Sequence, residues 1–184
     1  MNHLLALIPN ILSTLRLILA CLFPFAPQEA WVWLILGSGG SDFLDGWCAR
    51  RWKTTSWEGG LLDAIADKLF MFSALLTFAI TGKFPMWWIP AVIARDLTVA
   101  IAAGYTAAIG SWDSFRDMGA RWSGKLATAG QFLLLLTVAV FPAAIPIVLI
   151  FTVLCSAFAA GDYGLLFYQA LRRRNQAGST QSKN

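Results

Sequence analysis

Residues 42–67, DFLDGWCARRWKTTSWEGGLLDAIAD, decide how the rest of the chain is read. They place four carboxylates, Asp42, Asp45, Asp63 and Asp67, on two segments that otherwise have the composition of membrane helix. On helices the first two are spaced i,i+3 and the last two i,i+4, so each pair shares a face and the two faces can converge. A charge inside the hydrocarbon zone is costly, and acids held together there need compensation. Divalent cations, which prefer hard oxygen donors, supply it. Two ions bridging four carboxylates can also hold a diphosphate and stabilise the attacking and leaving oxygens of a phosphoryl transfer. Around the acids, Gly46 and Ala49 permit close approach of helix and ligand. Arg50 offers a planar cationic fork for a phosphate or a carboxylate.

Outward from this stretch, the 184 residues are 58% hydrophobic and 13% charged, too apolar for a soluble domain of this length. The sequence predicts an all-α integral membrane protein with six transmembrane helices near 10–27, 30–50, 60–82, 86–110, 121–142 and 144–171, bounded by charge, Pro, Gly or Trp. Each span needs about 20 residues, so residues 1–174 form one membrane catalytic domain. The polar stretch 175–184 is expected as a disordered cytosolic tail. Without a basic region before its apolar run, the N-terminal segment reads as uncleaved. Arg50, Arg51 and Lys53, then Arg116, Arg121 and Lys125, then Arg172, Arg173 and Arg174 cluster on alternate connections. The positive-inside rule therefore puts both termini and the Asp-rich helix ends in the cytoplasm.

The net charge of +4 follows this topology and suits anionic lipid headgroups, with no element for nucleic acid. Trp31, Trp33, Trp87 and Trp88 near span ends fit interfacial belts. Cys21, Cys48 and Cys155 are scattered, which argues against a disulfide framework or a zinc site and reads as buried small hydrophobes. His3, at the terminus, is the only histidine, so any base inside the fold must be a carboxylate.

The pattern D-x2-D-G-x2-A-R-x8-G-x3-D-x3-D resembles the signature of the CDP-alcohol phosphotransferases, or CDP-alcohol phosphatidyltransferases, at every defined position. That resemblance implies a six-helix, homodimeric enzyme of phospholipid synthesis in the inner or plasma membrane. Asp42, Asp45, Asp63 and Asp67 would surround two divalent metal ions, Mg2+ or Mn2+, with Asp67 also the general base. An acceptor hydroxyl would attack the diphosphate of a CDP-linked lipid such as CDP-diacylglycerol, and CMP would leave. Pro9-Asn10-x2-Ser13-x2-Arg16 is similar to the family's N-terminal motif, whose polar helix face approaches the nucleotide. Nucleotide and diphosphate binding is therefore expected at Asn10, Ser13, Arg16, Gly46, Ala49, Arg50 and Gly59.

Ala49-Arg50-Arg51-Trp52, Ala66-Asp67-Lys68, Arg95-Asp96 and Gly124-Lys125-x2-Thr128-x2-Gln131 resemble the phosphatidylglycerophosphate synthase and cardiolipin synthase branch. The first activity uses glycerol 3-phosphate, a small dianion that requires a basic pocket, for which Arg95, Arg116, Arg121 and Lys125 are available. Phosphatidylglycerophosphate synthases usually carry Arg-Glu where Arg95-Asp96 stands, and further cations where Ala102, Ala103 and Ala127 stand. Fewer cations suit a less charged acceptor, so phosphatidylglycerol, the cardiolipin synthase acceptor, stays open. Asp96 reads as a partner for Arg95, and Asp162 as a structurally paired or cavity-exposed acid. An intramembrane prenyltransferase would need more spans than this chain supplies, and a transporter would leave D-G-x2-A-R unexplained.

Overall fold

The computed structural model describes the backbone of residues 2–52, 57–108 and 121–181, and side chains at 11–41, 62–106, 121–169, 171 and 172. Among the described residues there is no strand; the order is α1 (Asn2–Leu22), α2 (Gln28–Trp52), α3 (Trp57–Ile80), α4 (Ile89–Val92), α5 (Ala94–Ala108), α6 (Trp122–Val140) and α7 (Ile145–Gln181). Short 3-10 turns at Phe23–Phe25, Met86–Trp88 and Pro142–Ala144 join them. Each expected span has a helical counterpart. The last helix runs to Gln181, into the stretch for which composition led to an expectation of disorder.

Two helical stretches among the described residues are long and apolar enough to cross a bilayer unaided, Trp122–Val140 and Pro142–Gln169. A third crossing arises if Met86–Val92 and Ala94–Thr106, bent by 57°, count as one span. The described part of α3 carries Asp63, Asp67 and Lys68, and Ile11–Phe25 is a shorter apolar stretch. α7 presents Ile147, Leu154 and Phe158 outward. Such an apolar exterior is a liability in water and ordinary against lipid.

The chain divides into two compact units, Met1–Met86 with Phe132–Ile145, and Trp87–Gln131 with Pro146–Asn184. In the first, α1 packs chiefly on α3 and also on α2. Hydrophobic burial does not drive helices together inside lipid, so dispersion and interhelical hydrogen bonds must hold this contact. The Ser73 hydroxyl on α3 donates to the Ala20 carbonyl on α1 at 2.6 Å. Near the α1–α2 turn, Phe23 meets Phe70 and Phe78 edge-on at 5.6 Å each and stacks with Trp31 at 6.1 Å.

Trp31 thus leaves the interfacial belt expected for it: it is 3% exposed. Its indole N–H, a donor that burial would otherwise orphan, reaches the Ala26 carbonyl at 3.2 Å. Trp33 and Trp87 are exposed, as a belt requires. Of the cysteines with described side chains, Cys155 is buried as expected and Cys21 is exposed. α3 ends where Gly82, at φ +74°, takes a left-handed conformation. The Lys83 amide returns to the Phe78 carbonyl at 2.9 Å and the Gly82 amide to Ala79 at 3.1 Å, closing the helix with a Schellman pair.

In the second unit, Ala102 of α5 and Tyr163 of α7 form a buried core with Val99, Leu166 and Phe167 packed around it. Tyr105 meets Phe167 edge-on at 5.5 Å. Where one continuous span is expected over 86–110, a break at Ile93 separates α4 from α5. A broken helix frees backbone groups that lipid cannot satisfy. Here the Val92 carbonyl accepts from Gln131 Nε2 at 3.0 Å, and the Arg95 amide donates to the Ser156 hydroxyl at 3.2 Å. Both side chains come from other helices, so the break is a supported feature of the fold.

Candidate functional site

In the first unit the polar face of α1 meets the acidic face of α3. Arg16 is wholly buried, and its Nη1 lies 2.7 Å from Asp63 Oδ1. The Ser13 hydroxyl donates to the same oxygen at 3.3 Å. On its other side Arg16 donates through Nε and Nη2 to the Ser41 hydroxyl at 3.3 and 3.2 Å, and Ser41 in turn donates to the Ser38 carbonyl at 2.8 Å. The helical spacing of Ser13 and Arg16 sets both toward α3, and Ser38 and Ser41 bring α2 into the same network. Burying a guanidinium without a partner is prohibitive; a carboxylate and a hydroxyl make it tenable.

Asp67 lies one helical turn after Asp63 and is mostly shielded, with Lys68 Nζ at 3.2 Å. Asp63 and Asp67 thus occupy one side of α3, as the i,i+4 spacing required. Hard carboxylate oxygens at such spacing are the donor type that magnesium and manganese take. Among the described residues no group of three or more His, Cys, Asp or Glu is gathered. The side chains of Asp42 and Asp45, with those of Asn10, Gly46, Ala49, Arg50 and Gly59, lie outside the described residues.

The second unit holds a separate polar cluster at the α4–α5 break. Arg95 Nη1 pairs with Asp96 Oδ1 at 2.8 Å, and Gln131 Nε2 donates to Asp96 Oδ2 at 2.8 Å. The Arg95 guanidinium lies over the Tyr163 ring, 5.4 Å from its centroid. A side-chain carbon on Gly124 would fall 2.8 Å from both Arg95 Nη2 and Tyr163 Oη, so only glycine leaves them room. Arg121 Nε pairs with Asp162 Oδ2 at 3.0 Å, and the same oxygen accepts from Ser123 at 2.6 Å.

Of the four cations expected to bind an acceptor, Arg95 and Arg121 therefore join one cluster. Lys125 projects over Trp122 at 5.4 Å, and Arg116 is outside the described residues. Asp96 is the Arg95 partner that adjacency indicated. Asp162 proves to be structurally paired. Gln131, Ser156, Tyr163 and Gly124 were not singled out as site residues; Gly124 and Gln131 were visible only as spaced members of a motif, and Tyr163 carried no local signal. Arg95 Nε and Gln131 Oε1 are buried and have no hydrogen-bond partner among the described residues.

A membrane protein with two carboxylates on one side of α3 and paired arginines in its second unit has parts suited to handling phosphate esters. A family model of the CDP-alcohol phosphatidyltransferases matches residues 6–158. The chain is similar to the CDP-diacylglycerol–glycerol-3-phosphate 3-phosphatidyltransferase of Yersinia enterocolitica, 33% identical over 135 residues, 67% of this chain and 71% of that one. The protein of the same name from Sodalis glossinidius is 33% identical over 141 residues, 71% of this chain and 75% of its own. That from Pectobacterium atrosepticum is 32% identical over 139 residues, 70% and 74% respectively. No solved structure matches the chain. The chain belongs to the CDP-alcohol phosphatidyltransferase family and is an integral membrane enzyme of phospholipid synthesis.

Proposed function

We infer that the enzyme transfers the phosphatidyl group of CDP-diacylglycerol to the primary hydroxyl of glycerol 3-phosphate. The observation that carries this choice of acceptor is the identity shared with phosphatidyltransferases of that name over two thirds or more of both chains. In the reaction the acceptor oxygen attacks the phosphorus bearing diacylglycerol, and the bond from that phosphorus to the CMP oxygen breaks. CMP takes the electron pair, and phosphatidylglycerol phosphate remains in the membrane.

Asp67 receives the hydroxyl proton, a role open to a shielded carboxylate in a chain whose sole histidine is His3. Asp42, Asp45, Asp63 and Asp67 would hold two divalent cations, Mg2+ or Mn2+, which when bound neutralise diphosphate charge and polarise the phosphoryl oxygens. Both described bonds to Asp63 land on Oδ1, which is consistent with Oδ2 serving a cation. Asn10, Ser13, Arg16, Gly46, Ala49, Arg50 and Gly59 accommodate the nucleotide and diphosphate, and Arg16 and Ser13 also orient Asp63. Arg95, Arg121, Lys125 and Arg116 receive the acceptor. The reading further places six spans in the inner or plasma membrane, both termini and the active site in the cytoplasm, and two copies in a homodimer.

One observation favours a second reading, phosphatidylglycerol as acceptor and cardiolipin as product. Arg95 and Arg121 are each matched by an acid, Asp96 and Asp162, which leaves little surplus charge for a dianion. Purified enzyme given CDP-diacylglycerol and either radiolabelled glycerol 3-phosphate or radiolabelled phosphatidylglycerol separates the two. Label from glycerol 3-phosphate should enter lipid with release of CMP. Label entering cardiolipin alone would transfer the assignment to the second reading.

A further inference from the structure

Asp162 and Tyr163 are consecutive on α7, and neither belongs to any motif described above. Yet between them they touch both arginines of the second-unit cluster. Asp162 Oδ2 holds the Arg121 side chain at 3.0 Å, while the Tyr163 hydroxyl accepts from the Arg121 backbone amide at 3.2 Å. Arg121 is thereby fixed at two points just ahead of α6, where the first-turn amides lack helical partners. The Tyr163 ring carries the Arg95 guanidinium on its face, 5.4 Å away. Its hydroxyl and Arg95 Nη2 converge on Gly124, whose missing side chain leaves the space.

Arg95 is held from the other side by Asp96, itself fixed by Gln131. A guanidinium immobilised on two sides is preorganised for an anion, because little side-chain freedom is lost on binding.

We propose that Asp162 and Tyr163 are positioning residues of the acceptor site, setting Arg95 and Arg121 in place for the phosphate of the incoming alcohol. The inference rests on the proposed acceptor-binding role of those two arginines. Neither residue touches reacting atoms. Each acts through an arginine, so their loss weakens acceptor binding more than it slows the bound complex.

The test is steady-state kinetics of full-length enzyme in detergent micelles, with CDP-diacylglycerol and glycerol 3-phosphate varied separately. For Tyr163→Phe, which keeps the ring and removes the hydroxyl, KM for glycerol 3-phosphate should rise about fivefold to tenfold, as expected for losing one or two hydrogen bonds at a charged site. For Asp162→Asn the rise should be about threefold, since the pair is partly exposed. In both, KM for the donor should stay at the wild-type value and kcat should fall less than about twofold, the signature of lost acceptor binding. An unchanged acceptor KM, or equal effects on both substrates with a lowered melting temperature, would overturn the proposal. Wild-type enzyme inactive with glycerol 3-phosphate but active with phosphatidylglycerol would instead bring down the acceptor reading, and this inference with it.

Discussion

Two arginine–aspartate pairs of similar length sit in the two units, and their surroundings give them different work. Arg16 in the first unit is completely buried, and Asp63 and Ser41 are among the groups it donates to. Arg121 and Asp162 in the second keep 44% and 24% of their side chains exposed. The burial of Arg16 makes the first pair costly to break, because a guanidinium left alone there would be uncompensated even though Asp63 is itself 35% exposed. Partial exposure makes the second pair nearly neutral for stability and leaves its geometry as its contribution. Chemical type alone therefore does not decide what an ion pair does.

That contrast breaks most visibly at Arg16. Arg16→Leu should lower unfolding stability in detergent by about 3 kcal/mol, the low end for a broken buried pair because Asp63 is partly open; an unchanged thermal melt would show that the buried guanidinium is dispensable. Gly124→Ala comes next, with about 2 kcal/mol from overpacking. Tyr163 cannot yield as easily as the arginine tip, so this variant should also raise the acceptor KM. Gln131→Leu should cost about 1–2 kcal/mol, since it strips Asp96 Oδ2 and the Val92 carbonyl of a donor at the helix break. Arg121→Gln marks the other end of the comparison: a stability change within about 1 kcal/mol, shrinking further in high salt. A loss as large as that at Arg16 would erase the distinction between the pairs.

Much of this architecture was legible in the chain. Apolar runs punctuated by Pro, Gly and charge give each helix an expected counterpart, and the spacing of Asp63 and Asp67 sets them on one side of α3. What stayed hidden depends on contacts distant in sequence. Asp63 meets an arginine 47 positions away, and Asp162 finds its hydroxyl partner 39 positions away. No local pattern encodes those meetings. Trp31 illustrates the same limit, because a tryptophan at a helix end suits either lipid headgroups or an aromatic core, and Phe23, Phe70 and Phe78 decide the matter only after packing. The break at Ile93 was also invisible, since Gln131 and Ser156, which make it tolerable, come from other helices.

The central claim is metal-assisted transfer in which Asp67 takes the acceptor proton. CMP release from CDP-diacylglycerol and glycerol 3-phosphate, compared in wild type and Asp67→Asn with a chelator and then with added Mg2+ or Mn2+, tests it most directly. The account predicts release by wild type only when metal is supplied, and a loss of at least about 100-fold in Asp67→Asn, a typical general-base contribution, with donor binding retained. Undiminished release in chelator, or near wild-type turnover by Asp67→Asn, would contradict it.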